Sequence, residues 1–184
     1  MGGVPNYPYG YNPLLAPLFA KRKVFVSYHH DRDQNYYDAF VRTFSDVYEV
    51  VQDSSLDRLL DSDDPEYIMR RIREKHITGS SCTVVFCGAE TPWRKYVDWE
   101  IKATLDKEHG LIGVNLPTNP LNASGRFTVA DRLNDNFQSG YALWLQWKHL
   151  LAGPEFLKGQ VEVANQKPKV LIVNNRPMRR RNGN

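Results

Sequence analysis

The chain has 184 residues, with 41% hydrophobic and 24% charged side chains and a net charge of +3 at neutral pH. This length suits one domain with its own core, and no apolar run approaches the ~20 residues that a membrane-spanning helix needs. We therefore expect a cytoplasmic protein without a signal peptide and, because the charge is small and partly confined to Arg179–Arg181, no nucleic-acid or membrane partner.

The N-terminal part of the chain starts irregularly and then forms a strand and a helix. Residues 1–20 are dense in Pro, Tyr, Gly and Asn, which predicts an irregular arm. Lys23–Tyr28 is the first predicted strand, and we expect Asp31 or Asp33 to cap the helix that follows. The apolar positions of that helix share one face: Tyr37, Phe40, Val41 and Phe44.

A second strand and a second helix are separated by an acidic loop. Tyr48–Val51 is a short predicted strand, and residues 53–63 are polar and acidic. Asp64 followed by Pro65 predicts a helix N-cap with proline at the first helical position.

The third predicted strand is the most apolar. Ser81–Gly88 is a continuous apolar run, typical of a central strand that is covered on both faces. Its two cysteines, Cys82 and Cys87, have an odd spacing, so a strand places them on opposite faces and they should not bond to each other. Buried thiols suit a reducing compartment.

The second half of the chain continues the alternation of predicted strands and helices. Thr91, before a proline, predicts an N-cap and a helix that runs to about Lys107. Leu111–Leu116 is the fourth predicted strand. Residues 117–140 are predicted as a long loop with little periodicity beyond a turn around Val129–Leu133.

The end of the chain supplies the last strand and helix. Tyr141–Trp147 is the fifth predicted strand, and a final helix starts at Pro154. We divide the chain into the arm 1–20, one α/β domain over 21–167, and a C-terminal extension, 168–184, with a solvated basic tail.

This alternation predicts a flavodoxin-like fold, a five-stranded parallel sheet in the order 2-1-3-4-5 with helices on both faces. Binding sites in such sheets lie beyond the carboxyl ends of the strands, where the strand order reverses between strands 1 and 3. The loops to consider are therefore 28–33, 52–63 and 88–94.

The first of these loops carries side chains of metal-ligating type: His29, His30, Asp31 and Asp33. Neighbouring residues rarely converge on one ion, and no second His/Cys cluster completes a ligand set. We therefore predict no metal site.

Asp53 follows the second strand and is a candidate for holding a ribose hydroxyl, with an ordinary loop turn as the alternative interpretation. The chain has no GxGxxG motif and no Walker-type glycine loop. A bound dinucleotide would therefore not be held in the Rossmann manner.

The helix predicted after the third strand has one carboxylate at the border of its core-facing stripe, which is Val97, Ile101, Thr104 and Leu105. Glu100 lies at this margin with Tyr96 and Trp99 nearby, and we expect Asp98 and Lys102 to face outward as an i,i+4 pair. Periodicity alone leaves two interpretations of Glu100 open, a solvated surface residue or a partly desolvated, reactive carboxylate.

These motifs resemble those of TIR domains. Val24–Tyr28 is similar to the opening TIR strand, which ends in Ser-Tyr or Ser-Phe, and Tyr96–Ile101 is similar to the TIR helix motif with its catalytic Glu. The closer resemblance is to bacterial TIR-like proteins of the Thoeris anti-phage type, over about residues 23–117. One departure is Tyr96, where many TIR enzymes have Trp.

The resemblance implies a signalling hydrolase that cleaves the nicotinamide–ribose bond of NAD, which is its substrate, without a cofactor. It implies Glu100 as the catalytic residue. The substrate-binding residues implied are Tyr28, His29, Trp93 and Tyr96, with Ser27 and Asp53 as further candidates. It also implies self-association, or a downstream effector protein that senses an ADP-ribose or cyclic ADP-ribose product.

Three alternatives stay open at this point. A non-catalytic TIR-like interaction module would assemble with concentration and never turn over NAD. A response-regulator-like receiver shares the fold, but it needs a phosphorylatable Asp at the end of the third strand, where this chain has Cys87 and Gly88. A nucleoside-transferring enzyme of similar fold would exchange free bases.

Overall fold

A computed structural model describes residues 21–52 and 64–183, and the parallel sheet that it shows has the predicted order, β2-β1-β3-β4-β5. The strands are β1 (Arg22–Ser27), β2 (Tyr48–Gln52), β3 (Ser80–Cys87), β4 (Gly110–Asn115) and β5 (Leu143–Gln146). The helices are α1 (His30–Phe44), α2 (Pro65–Ile72), α3 (Lys95–Asp106), α4 (Asp131–Gln138), α5 (Trp147–Leu150) and α6 (Pro154–Asn165). A π-helical turn, Arg73–Ile77, extends α2, and 3-10 turns occupy Thr91–Trp93 and Lys169–Leu171.

Helices cover both faces of the sheet, as a buried parallel sheet requires. On one face, Val84 and Phe86 of β3 pack with Phe40 of α1 and Leu157 of α6. On the other face, Val85 of β3 and other strand residues pack against the apolar side of α3. The structure confirms that Cys82 and Cys87 are free, buried and on opposite faces, and burial raises the pKa of both thiols.

The start of α1 differs from the prediction, because neither Asp31 nor Asp33 caps it. The N-cap is His29, whose Nδ1 accepts a hydrogen bond from the backbone N–H of Arg32 at 3.2 Å. Asp33 lies instead on the buried side of the first turn and takes hydrogen bonds from other loops. A ring nitrogen at the cap position supplies the acceptor that the backbone needs.

The start of α3 was also predicted wrongly. Thr91 begins a 3-10 turn, the backbone is extended at Arg94, and the helix starts at Lys95. The Thr91 hydroxyl accepts from the Gly88 N–H at 3.0 Å instead of capping a helix. By contrast, Asp64 caps α2 as predicted and accepts from the backbone N–H of Glu66 at 3.0 Å.

Two further differences lie in the second half of the chain. Within the predicted loop 117–140, the structure has the two-turn helix α4, whose buried side chains are Arg132, Leu133 and Asn136. The predicted fifth strand is shorter, because Trp147 already belongs to α5.

The C-terminal segment 172–183 packs along the outer side of α3 rather than extending freely into solvent. The indole N–H of Trp99 donates to the Arg179 carbonyl at 2.8 Å, and the Arg179 backbone N–H donates to Asp98 at 2.9 Å. Arg180 and Arg181 are exposed, as the predicted basic tail would be. In the described part of the chain, no helix combines the length and apolarity needed to cross a bilayer.

Candidate active site

The site lies where the sheet reverses its strand order. β1 and β3 are parallel neighbours with Ser27 beside Val85, and the chain leaves them in opposite directions, toward β2 and toward β4. The connections after these two strands therefore diverge and leave a crevice between them. Residues from both connections, and from the first turns of α3, meet there.

A small cavity occupies this crevice. Its lining consists of Tyr28, His29 and His30 after β1, and of Arg94, Tyr96, Val97 and Glu100 around the start of α3. The cavity volume is about 20 Å³, which suits a single water molecule rather than a sugar. A ribose can enter only if some of these side chains move.

Glu100 is 3% exposed and lines the cavity together with the residues that follow β1. Its neighbours Val97 and Ile101 are buried in the core, which confirms that Glu100 lies at the border of the apolar stripe. In such a water-poor environment, a carboxylate interacts with nearby positive charge much more strongly than in bulk water.

Asp98, two residues before Glu100, does not face outward as predicted. Its carboxylate is buried and lies 2.9 Å from Nε of Arg132, which is fully buried. Lys102 pairs instead with Asp106, one turn later. The outer side of α3 is thus covered by α4 and the C-terminal segment, and periodicity could not reveal that cover.

Tyr28 forms the aromatic side of the cavity. Its ring stacks on Tyr37, with centroids 4.7 Å apart, and lies 4.3 Å from the His30 ring. Its hydroxyl donates to Gln34 at 2.8 Å. Burial raises the pKa of Tyr37 to about 12.

His29 is held in one orientation by its role as the N-cap. Because Nδ1 accepts the Arg32 N–H, the neutral ring carries its proton on Nε2. Nε2 lies 3.6 Å from the carboxylate of Glu90. The ring is therefore a hydrogen-bond donor at the edge of the cavity.

Glu90 forms the centre of a charged cluster that sequence reasoning missed. Its carboxylate accepts a hydrogen bond from Arg94 and lies 3.1 Å from Nε of Arg32. The hydrogen bond from Arg94 is the largest cause that holds the pKa of Glu90 below its usual value. Helical spacing gives no signal for this pair, because Glu90 precedes the 3-10 turn and Arg94 is extended.

Asp33, for which the sequence offered only a helix cap or a metal ligand, is a second buried carboxylate. It accepts hydrogen bonds from the hydroxyls of Thr91 and Thr118, each at 3.2 Å. Burial raises its pKa. Asp33 thereby joins α1 to the segments after β3 and β4.

The structure brings together some of the predicted substrate-binding residues and separates others. Tyr28, His29, Tyr96 and Glu100 share the cavity. Ser27 is buried at the end of β1 and its hydroxyl has no hydrogen-bond partner among the described residues. Trp93 lies outside the cavity lining and contacts the guanidinium group of Arg179, 5.8 Å from the ring centroid. Asp53 is outside the described residues.

The metal interpretation finds no support in the geometry of the first loop. Within residues 21–52 and 64–183, no three His, Cys, Asp or Glu side chains are grouped so that they could hold a metal ion.

A family profile described as "Thoeris protein ThsB, TIR-like domain" matches residues 25–120, and no curated protein sequence is significantly similar to the chain. One similar solved structure contains the TIR domains of the activated Roq1 resistosome directly recognizing the pathogen effector XopQ. The two chains share 12% identity and a TM-score of 0.38, over 80% of this chain and 86% of that one.

Proposed function

This chain belongs to the family of Thoeris ThsB TIR-like domains, and from that premise we propose that it cleaves the nicotinamide–ribose bond of NAD with Glu100 as the catalytic carboxylate. The observation that carries the proposal is the burial of Glu100 in the wall of the switch-point cavity, opposite the aromatic residues that follow β1. The family match extends through both of these segments.

The chemistry of NAD explains how one carboxylate suffices. Most glycosidases use two carboxyl groups, because one must protonate the leaving oxygen. In NAD the C1′–N bond breaks with its electron pair moving to a nitrogen that is already cationic, so nicotinamide leaves neutral and needs no acid. The ribose that remains is oxocarbenium-like, and a nearby carboxylate stabilises its positive charge.

The lining residues have separate tasks in this proposal. Tyr28 and Tyr96 would flank the nicotinamide–ribose unit, and His29 would donate a hydrogen bond from Nε2.

Addition of water to C1′ gives ADP-ribose and releases a proton. Attack by a hydroxyl or ring nitrogen of the same molecule gives a cyclic isomer, and a site that excludes water favours that outcome. The product would act as a signal to an effector protein in anti-phage defence.

The test is product analysis after concentrated protein has been incubated with NAD. We expect release of nicotinamide together with ADP-ribose or a cyclic isomer, and loss of that release in Glu100→Gln. Glu155→Gln is the matched control, because Glu155 is an exposed residue of α6. A folded Glu100→Gln protein that releases nicotinamide as fast as the control would contradict the assignment.

A second candidate function is a non-catalytic interaction module. Three exposed apolar side chains favour it: Leu121, Phe127 and Phe137. Phe127 and Phe137 line one surface groove with Trp144 of β5, and Leu121 pairs with Phe127. This candidate predicts that the protein assembles with itself as its concentration rises and releases no nicotinamide at any concentration. Replacing Phe127 and Phe137 by Ser would then abolish assembly.

A further inference from the structure

The carboxylate of Glu90 lies between two guanidinium groups and the His29 ring, beside the Glu100 cavity. It accepts a hydrogen bond from Arg94, lies 3.1 Å from Nε of Arg32, and lies 3.6 Å from Nε2 of His29. Arg94 and His29 also line the cavity. One carboxylate therefore occupies the point at which two guanidinium groups converge, so this point accommodates an anionic group.

The positive charge of this cluster exceeds what Glu90 neutralises. Arg32 and Arg94 together carry two positive charges, whereas Glu90 carries one negative charge. Arg32 also belongs to the first turn of α1, whose free backbone amides add partial positive charge. Asp31 and Asp33 share that turn and oppose this charge. Asp31 is exposed, whereas Asp33 accepts hydrogen bonds from Thr91, the residue after Glu90, and from Thr118. A diphosphate, with about two negative charges, matches two guanidinium groups, which bind phosphate oxygens through paired hydrogen bonds.

We propose that Arg32 and Arg94 bind the diphosphate of the dinucleotide, and that Glu90 holds both side chains until the diphosphate replaces it. This inference rests on the proposed function, because it takes the ribose at Glu100 as its starting point. In NAD the ribose that bears nicotinamide at C1′ carries the diphosphate at C5′. A ribose against Glu100 therefore presents its diphosphate to the arginine that lines the same cavity.

The accessibility of the cluster permits this exchange. The side chains of Arg94, Glu90 and Arg32 are 32%, 37% and 70% exposed, respectively, so a phosphate group can reach them from solvent. Arg94 is also one of the side chains that confine the cavity to about 20 Å³. Its transfer from Glu90 to a phosphate widens the cavity for the ribose, which couples diphosphate binding to access to Glu100.

Loss of either arginine and loss of the Glu90 carboxylate should change the affinity for NAD in opposite directions. Arg94→Gln and Arg32→Gln should each weaken NAD binding by about tenfold or more, because each loses charge-assisted hydrogen bonds to phosphate. Glu90→Gln should strengthen it severalfold, because the competing carboxylate is gone. Arg22→Gln is the matched control, since Arg22 pairs with Glu162 at the opposite end of β1.

The experiment is calorimetric titration of the full-length protein carrying Glu100→Gln, so that NAD is not consumed, with each further substitution added to it. Nicotinamide riboside, which has no phosphate, is the comparison ligand, and its affinity should not change with Arg32→Gln. Unchanged NAD affinity in both arginine variants would overturn the inference, and so would absence of NAD binding to the parent protein.

Failure of the proposed function gives a different result. One result would be that wild-type protein releases no nicotinamide while its NAD binding depends on Arg32 and Arg94. That result would support the diphosphate site and contradict the catalytic role of Glu100. If nicotinamide is released and the Michaelis constant for NAD is the same in both arginine variants and in Arg22→Gln, the catalytic proposal stands and the diphosphate site falls.

Discussion

Gly88 has no side chain, and this leaves room for the buried carboxylate of Asp33. A Cβ atom at this position would lie only 2.7 Å from Cγ of Asp33 and closer still to its oxygens. Atoms do not approach so closely without displacement, so glycine is required by contact here rather than by its backbone conformation. The position follows directly after β3, where the chain enters the site.

We therefore predict that Gly88→Ala destabilises the protein by about 1–3 kcal/mol, through overpacking against Asp33. The two positions should be coupled, so that Asp33→Ala and Gly88→Ala together cost less than the sum of the single changes. Urea unfolding of the four proteins in this cycle measures the coupling. Additive free energies within about 0.3 kcal/mol would contradict the contact.

Asp106, at the end of α3, provides a test of pH dependence. Burial alone would raise its pKa, but hydrogen bonds from Arg73 and Lys102 hold the pKa below its usual value. Asn174 of the C-terminal segment is a third donor to this carboxylate, at 2.8 Å. The ionised carboxylate is thus stabilised more in the folded protein than in the unfolded chain.

A carboxylate with a lowered folded pKa contributes stability above its unfolded pKa of about 3.9, and this stability is lost as the pH falls toward the folded value. We predict that Asp106→Asn lowers the free energy of unfolding by about 1 kcal/mol at pH 7, since the group is partly exposed. The difference from wild type should shrink as the pH falls below about 4. Asp46→Asn, at an exposed position, is the control. A difference that stays constant with pH would contradict the ion pairs.

At the scale of elements, α3 is held from its outer side by one buried ion pair. Arg132 of α4 is fully buried and donates to Asp98 of α3, to Asn174 and to the carbonyls of Arg176 and Pro177. This one guanidinium group joins two helices and the C-terminal segment. The position of α3, and with it of Glu100, depends on these bonds.

Arg132→Met should therefore be strongly destabilising, by about 3–5 kcal/mol, because it leaves Asp98 buried without its partner. The same change at Arg126, which is exposed, should have little effect. Chemical unfolding of both variants provides the comparison. If Arg132→Met lowers the free energy of unfolding by less than about 1 kcal/mol, the Arg132–Asp98 ion pair is not needed to hold α3 in place.

At the scale of the whole molecule, the sheet could be predicted from the sequence because its central strands are continuous apolar runs. Ser81–Gly88 and Leu111–Leu116 match β3 and β4 to within one residue at each end. α4 was missed because two of its three buried side chains, Arg132 and Asn136, are polar and give no apolar periodicity.

The candidate site could be predicted only in part, because many of its contacts join residues that are far apart in the sequence. Periodicity placed Glu100 at the border of the core and the fold placed its helix at the switch point, and the structure agrees with both. The partners of Asp98, Glu90 and Asp33 lie mostly on other elements, so local spacing does not reveal them. The same limitation applies to the C-terminal segment, whose contacts with α3 span about 80 residues.

The central claim is that Glu100 stabilises the transition state for loss of nicotinamide from NAD. The most direct measurement is kcat for nicotinamide release by Glu100→Gln, compared with wild type at saturating NAD. We predict a fall of about 10²–10³-fold or more with little change in NAD affinity, since the carboxylate acts on charge that develops in the transition state. A folded Glu100→Gln protein whose kcat stays within about twofold of wild type would contradict the account.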